Sequence, residues 1–315
     1  MTDTLPSAEG ELREQLRKAG FASRAVDAVW PEWWSSEAEG SISATTELRY
    51  TVARRLGLAP GSLFGGDPTF IWKDETRFKN LGTTTEHEAA VLASFAVSVG
   101  RCAVAATPRP DASVFPLAAD ELRSTILKTQ PYVGLAELLT LAWGLGFPVI
   151  YLEVFPLANK RMHAVAARLN DRYALMIGRQ SRYQAQVAYF LAHEFGHIAL
   201  GHAEDSAALL DVDDPLRAAE PDDEEVAADR FALELLTGSA DPQIDTSIAQ
   251  FNAAELADTV STTGPKLGID PGVLALCVGH RTDRWAQAFG ALKVLEPDAT
   301  NLARPINGLA DMAVA

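Results

Sequence analysis

Apolar positions along this chain recur mostly at helical spacing, with one stretch rich in β-branched and aromatic residues near its middle. Glu11–Ala19 and Thr45–Leu56 have helical composition, and Trp30, Trp33 and Trp34 gather around Pro31. From Val52 to Leu63 a helix stops at Gly57 and restarts after Pro60, a weak similarity to a helix-turn-helix. The second helix has barely begun when Phe64-Gly65-Gly66 ends it, so an ordinary helix hairpin is the better reading. Thr69–Trp72 reads as a short extended piece. Glu86–Ala106 predicts a long, mostly buried helix, and the proline-rich link Thr107-Pro108-Arg109-Pro110 ends it. That link is the expected domain boundary.

Beyond it, Ala118–Lys128 and Val133–Trp143 read as two helices separated by Gln130-Pro131. Val149–Phe155, His163–Leu169 and Arg172–Ile177 read as strands, the last two joined by Asn170-Asp171, residue types that a tight hairpin turn favours. Ser181-Arg182-Tyr183-Gln184 has the spacing of a capping box. The helix it predicts carries Val187, Phe190, Leu191 and Ile198 and stops at Gly201. An acidic loop follows, then a helix from about Asp222 to Leu236. The remainder, 237–315, predicts two or three helices with breaks at Gly264-Pro265 and Asp270-Pro271, and a loosely held end over 296–315.

With 315 residues and 48% hydrophobic content, the chain has ample material for a core, which excludes a disordered protein. The apolar runs Val91–Thr107 and Leu138–Leu152 are broken by Arg101 and by Gly144, Gly146 and Pro148. Neither offers the ~20 clean residues of a membrane span, so no membrane association is expected. Cys102 and Cys277 lie too far apart in sequence to suggest a disulfide framework. The polar amino terminus shows no apolar signal core, and a cytoplasmic location is the expectation. A net charge of −15 argues against direct nucleic-acid binding. Much of that charge is local: between Ala203 and Glu225 ten acids face the single cation Arg217.

The chemistry concentrates in His193-Glu194-Phe195-Gly196-His197, an H-E-x-x-H on the capped helix. Residues four apart on a helix lie ~40° apart in azimuth and one turn apart along the axis, so both imidazoles can chelate one ion. Glu194, ~100° round, then reaches a water at that ion and serves as general base. A hydrolytic zinc site needs a third protein ligand and an open position. His202 lies five residues after His197, out of step with a three-histidine pattern, and reads as structural. Asp222, Asp223, Glu224 and Glu225 are the alternatives on the next helix. Only Glu225 has an acid one turn later, Asp229, placed to hold the N–H of a ligating imidazole. Tyr183, Tyr189, His163 and His280 are candidates for the donor that steadies a tetrahedral oxyanion.

His193-Glu-Phe-Gly-His197-Ile-Ala-Leu-Gly-His202 followed by Glu225-Val-Ala-Ala-Asp229 resembles the ImmA/IrrE family of zinc metallopeptidases, with the matching order of helices and strands over 118–178. The resemblance covers roughly residues 115 to 290. It departs at Ala227 and Asp229, where the family often has Glu and Asn. It implies a gluzincin-like metal site with His193, His197 and Glu225 as zinc ligands, Asp229 behind them and Glu194 as catalytic base. Manganese is a second expected occupant in vitro. The implied fold is α+β and predominantly helical: a zincin-like metallopeptidase core with a small twisted sheet and an additional helical N-terminal region. The expected layout is 1–110 for recognition or regulation, 111–295 for the metallopeptidase domain and 296–315 as the loose tail. The implied activity is narrow-specificity cleavage of a cognate regulatory protein, with a helix-turn-helix transcriptional regulator as the expected partner. A zinc hydrolase of small-molecule or modified-peptide amides is the second reading, and a non-catalytic metal-binding sensor or scaffold the third. Intact Glu194 argues against the third.

Overall fold

A computed structural model of the chain describes residues 7–71, 76–79, 85–109, 118–158, 162–202, 208–212, 223–243 and 251–314. The elements in chain order are α1 (Ala8–Lys18), α2 (Ser23–Val29), α3 (Ile42–Leu56), β1 (Thr76–Lys79), α4 (Glu86–Ala106), α5 (Ala119–Ile126), α6 (Leu135–Gly144), β2 (Val149–Tyr151), β3 (Met162–Leu169) and β4 (Arg172–Ile177). They continue with α7 (Gln184–Ala199), β5 (Ala208–Val212), α8 (Asp223–Thr237), α9 (Ala253–Leu267), α10 (Pro271–Thr282), α11 (Trp285–Leu295) and α12 (Ala303–Val314). The architecture is predominantly helical with a small sheet, an α+β arrangement.

The chain forms two compact units, each drawn from separated stretches of sequence. One comprises Met1–Ala105, Leu152–Gly178 and Ser206–Ala219; the other comprises Ala106–Tyr151, Arg179–Asp205 and Glu220–Ala315. Strand pairing is the reason, because β3, β4 and β5 join β1 in a sheet of the first unit, with neighbours in the order β1-β5-β3-β4. β3 and β4 form an antiparallel hairpin in which Leu169 pairs Arg172, and Asn170 takes the left-handed conformation of the turn at φ 61°. β5 runs antiparallel to β3 and parallel to β1. It lies inside the acidic linker that was expected to be a loop. The apolar run Ala207-Ala208-Leu209-Leu210 has strand-compatible composition, and β3 supplies the hydrogen-bonding edge that the local pattern does not show. The rest of that linker, 203–207 and 213–222, is outside the described residues.

In the first unit α4 is the central helix, buried from Ala90 to Ser98 and again at Gly100. By length and composition it is apolar enough to cross a membrane, yet its apolar surface is used inside the protein. A Cβ at Gly100 would stand 3.1 Å from Leu169 and 3.4 Å from Ala167, which puts the helix directly on the β3–β4 hairpin. The segment after α3 is neither a helix-turn-helix nor a helix hairpin. The chain leaves the helix at Gly57, Leu58 bridges Phe70 in antiparallel fashion, and Ser62–Phe64 is a single 3₁₀ turn.

The second unit holds α5 to α12, with α6, α8 and α10 packed on α7. Leu191, Ala192, Phe195 and Ile198 of α7 are buried, with the Phe195 ring 6.4 Å from that of Phe147. The capping box expected at Ser181 does not form. Ser181 Oγ instead accepts the Tyr183 N–H and donates to Gln186, while the first helical N–H, of Gln184, donates to the carboxylate of Glu296 at 3.1 Å. Arg123 of α5 is almost fully buried, and its guanidinium donates to the carbonyls of Leu235, Leu236 and Gly268. These are last-turn oxygens of α8 and the cap carbonyl of α9, groups that lack intrahelical partners. Pro265 does not break α9 but sits in its last turn. Within 296–315, where a loose tail is expected, lies α12. Ile306 of α12 is buried, and Asn307 accepts the Tyr151 N–H at 2.8 Å while donating to the Tyr151 carbonyl at 3.0 Å, pairing β2 like a strand edge.

Candidate metal centre

His193, Glu194 and His197 lie on α7, and Glu225 and Asp229 on α8, all in the second unit. Helix geometry sets His193 and His197 on one face of α7. Gly196, between them, lets α8 come close: a Cβ there would be 3.0 Å from both Cα and O of Ala228 and 3.2 Å from Cβ of Phe231. The resulting approach brings Glu225, on the first turn of α8, onto the histidine pair.

Three donor atoms converge. His193 Nε2 and His197 Nε2 are 3.0 Å apart, and the Glu225 carboxylate oxygens stand 3.2 Å from the first and 3.4 Å from the second. Ligands held ~2.0–2.1 Å from one tetrahedral zinc ion are about 3.3 Å from one another, so the observed spacing suits a single small divalent cation. Two imidazole nitrogens and a carboxylate are also a donor set that zinc accepts, and manganese less selectively. Among the described residues, His193, His197 and Glu225 are the group able to hold an ion. Glu224 is not part of that group.

The outward-facing nitrogens are held as well. His193 Nδ1–H donates to Asp229 Oδ1 at 2.8 Å, and the Tyr189 hydroxyl donates to the same oxygen at 2.6 Å. His197 Nδ1 lies 2.9 Å from Nδ1 of His202. Burial works against charge on His193, but its hydrogen bonds to Asp229 and Glu225 and the nearby Glu194 outweigh it and hold the metal-free imidazole up at about 10. Burial likewise works against the Asp229 carboxylate, and the bonds from His193 and Tyr189 still bring it below its usual range. Burial, with the adjoining Asp229 charge, pushes the Tyr189 phenol well above its ordinary value. The cluster is thus rich in negative charge and favours a cation at its centre, a proton on His193 or a metal ion. Glu194 is buried beside the pair.

The oxyanion candidates fare differently. Tyr189 is committed to Asp229, so it orients the ligand shell. Tyr183 flanks the start of α7 with its ring against Phe289, and His280 packs edge-on to Trp285. The side chain of His163 is outside the described residues. Sequence reasoning passed over His202 as a ligand, and the structure puts it behind one. The signal that could have found it is the Gly201-His202 pair at the helix end.

Residues 163–286 match the family model of Peptidase U49, a span that includes the H-E-x-x-H helix, Glu225 and Asp229. No curated protein and no solved structure matches the chain. The family match supports a peptidase, and the convergence of His193, His197 and Glu225 supplies a group positioned to bind a metal ion.

Proposed function

We propose that this chain is a zinc-dependent endopeptidase of narrow specificity, with a zincin-like core akin to that of the ImmA/IrrE metallopeptidases, acting in the cytoplasm on a cognate regulatory protein. The observation that carries the reading is the set of three donors 3.0–3.4 Å apart with Glu194 next to His193 in sequence. In this reading His193 and His197 hold the ion through Nε2 and Glu225 through its carboxylate. The bound ion supplies Lewis acidity, polarising a carbonyl and easing deprotonation of a water. Glu194 takes the proton of the attacking water and passes it to the leaving amine nitrogen. Asp229, itself held by Tyr189, keeps His193 in the tautomer whose Nε2 lone pair faces the ion.

Narrow specificity and a helix-turn-helix regulator as substrate follow from the ImmA/IrrE resemblance. The first unit is the proposed place of substrate recognition. The test combines metal analysis with cleavage assays. Wild-type protein is expected to bind about one zinc ion, and His193→Ala to lose it. Glu194→Gln is expected to keep the metal and lose ~10²–10⁴ in rate. Casein should survive, while a helix-turn-helix regulator encoded beside the gene is cut at one or a few positions. A full zinc complement in His193→Ala, or broad casein degradation, would overturn the reading. Efficient Glu194-dependent hydrolysis of a small amide, with no protein cleaved, would replace it with the small-amide hydrolase.

A further inference from the structure

The two histidine ligands differ in what holds their outer nitrogens: Asp229 for His193, a carboxylate, and His202 for His197, another imidazole. The backbone explains how His202 arrives there. α7 ends with Gly201 N–H donating to Ile198 O at 3.1 Å and His202 N–H donating to His197 O at 2.9 Å. Gly201 takes φ 76°, in the left-handed region where only glycine is unstrained. This is a Schellman ending, in which the chain wraps back so that the second residue past the cap meets the third residue from the end. Such meetings are usually apolar. Here both partners are histidines, with ring centroids 5.2 Å apart.

Proton counting then assigns the roles. His197 Nε2 faces His193 Nε2 and Glu225 Oε1, so ligation requires its lone pair there and its proton on Nδ1. A bond between two Nδ1 atoms accommodates one proton. His202 therefore accepts through Nδ1 and carries its own proton on Nε2. The geometry points to His202 as a positioning residue of the metal centre, a neutral acceptor that locks the tautomer and ring orientation of His197. The inference rests on the metal reading given above. Neutrality has a purpose, because Glu194, Glu225 and Asp229 already crowd the ion with carboxylates. An imidazole orients the second ligand without a fourth negative charge that would blunt the ion's electrophilicity.

The test is zinc affinity, measured by competition with a chromophoric chelator, on wild type, His197→Ala, His202→Ala, His202→Asn and His202→Phe. Asparagine can present an oxygen near the position of Nδ1, whereas phenylalanine fills the space without an acceptor. His202→Ala and His202→Phe are expected to bind zinc ~10–100-fold more weakly, and His202→Asn to stay close to wild type. The ¹⁵N resonances of His197 should report the Nδ1–H tautomer in wild type and His202→Asn, and a tautomer mixture in His202→Phe. If His202→Ala fails to fold, the asparagine and phenylalanine pair carries the comparison. Equal affinity across all three His202 variants and wild type, or equal loss in His202→Asn and His202→Phe, would overturn the role of His202. Absence of zinc binding in wild type, or its retention in His197→Ala, would instead overturn the metal reading itself.

Discussion

Gly196→Ala tests how the site is assembled without touching any ligand. The added Cβ would lie 3.0 Å from Ala228 Cα and O and 3.2 Å from Phe231 Cβ. Non-bonded carbons prefer about 3.5–4.0 Å, so α8 must retreat by roughly half an ångström at Ala228. Glu225 precedes Ala228 by three residues on the same rigid helix and moves with it. Metal ligands tolerate displacements of only about 0.2 Å, so the carboxylate is drawn out of range. Overpacking of this kind costs ~1–3 kcal/mol, while replacing a helical glycine by alanine returns about 1 kcal/mol. The metal-free variant should therefore lose at most ~2 kcal/mol, seen as a modestly lower urea midpoint. Zinc affinity should fall by ~10-fold or more, each 1.4 kcal/mol being a factor of ten. Chelator competition and urea unfolding on the same preparation separate the two effects. Wild-type zinc affinity together with a raised urea midpoint would show that the close approach at Gly196 does not set the ligand geometry.

Three further outcomes follow from the site and its supports. His193 has a raised folded-state value of about 10, so the metal-free protein binds more protons than its unfolded chain from about pH 6.5 to 10. The stabilisation from this group is complete below about pH 6.5 and is lost as pH rises through about 10, while zinc affinity climbs over the same window because the ion displaces that proton. Urea midpoints of chelator-treated wild type and His193→Ala at pH 7, 8 and 9 should converge; a gap that widens with pH would contradict the assignment. Tyr189→Phe should weaken zinc binding less than Asp229→Ala, which is expected to cost ~10–100-fold, and titration of both variants gives the ranking. Arg123→Met should destabilise the chain by at least ~3 kcal/mol, because several helix-terminal carbonyls lose a charged donor, and urea unfolding would show an unchanged midpoint if that clamp were dispensable.

Much of the site was legible in the chain because its chemistry is written at helical spacing. His193, Glu194 and His197 share one helix, and Glu225 with Asp229 share the next, so residue type and the periods of three and four sufficed to select them. The β3–β4 hairpin was legible for the same local reason, through the turn residues Asn170-Asp171 between two short runs of mostly apolar residues. What the pattern could not contain are partnerships between distant segments. β5 is a strand because β3 and β1 offer edges on either side of it, not because an acidic linker favours one. The cap of α7 comes from Glu296 rather than from the local Ser181, and α12 is tied to β2 because Asn307 finds the backbone of Tyr151. Tyr189 and His202 acquired their places in the same way, one when α8 brought Asp229 to α7, the other when Gly201 turned the chain back on His197. Local periodicity thus determined which residues could do chemistry. Long-range hydrogen bonds and the close helix contact at Gly196, formed only in the folded chain, decided which of them meet.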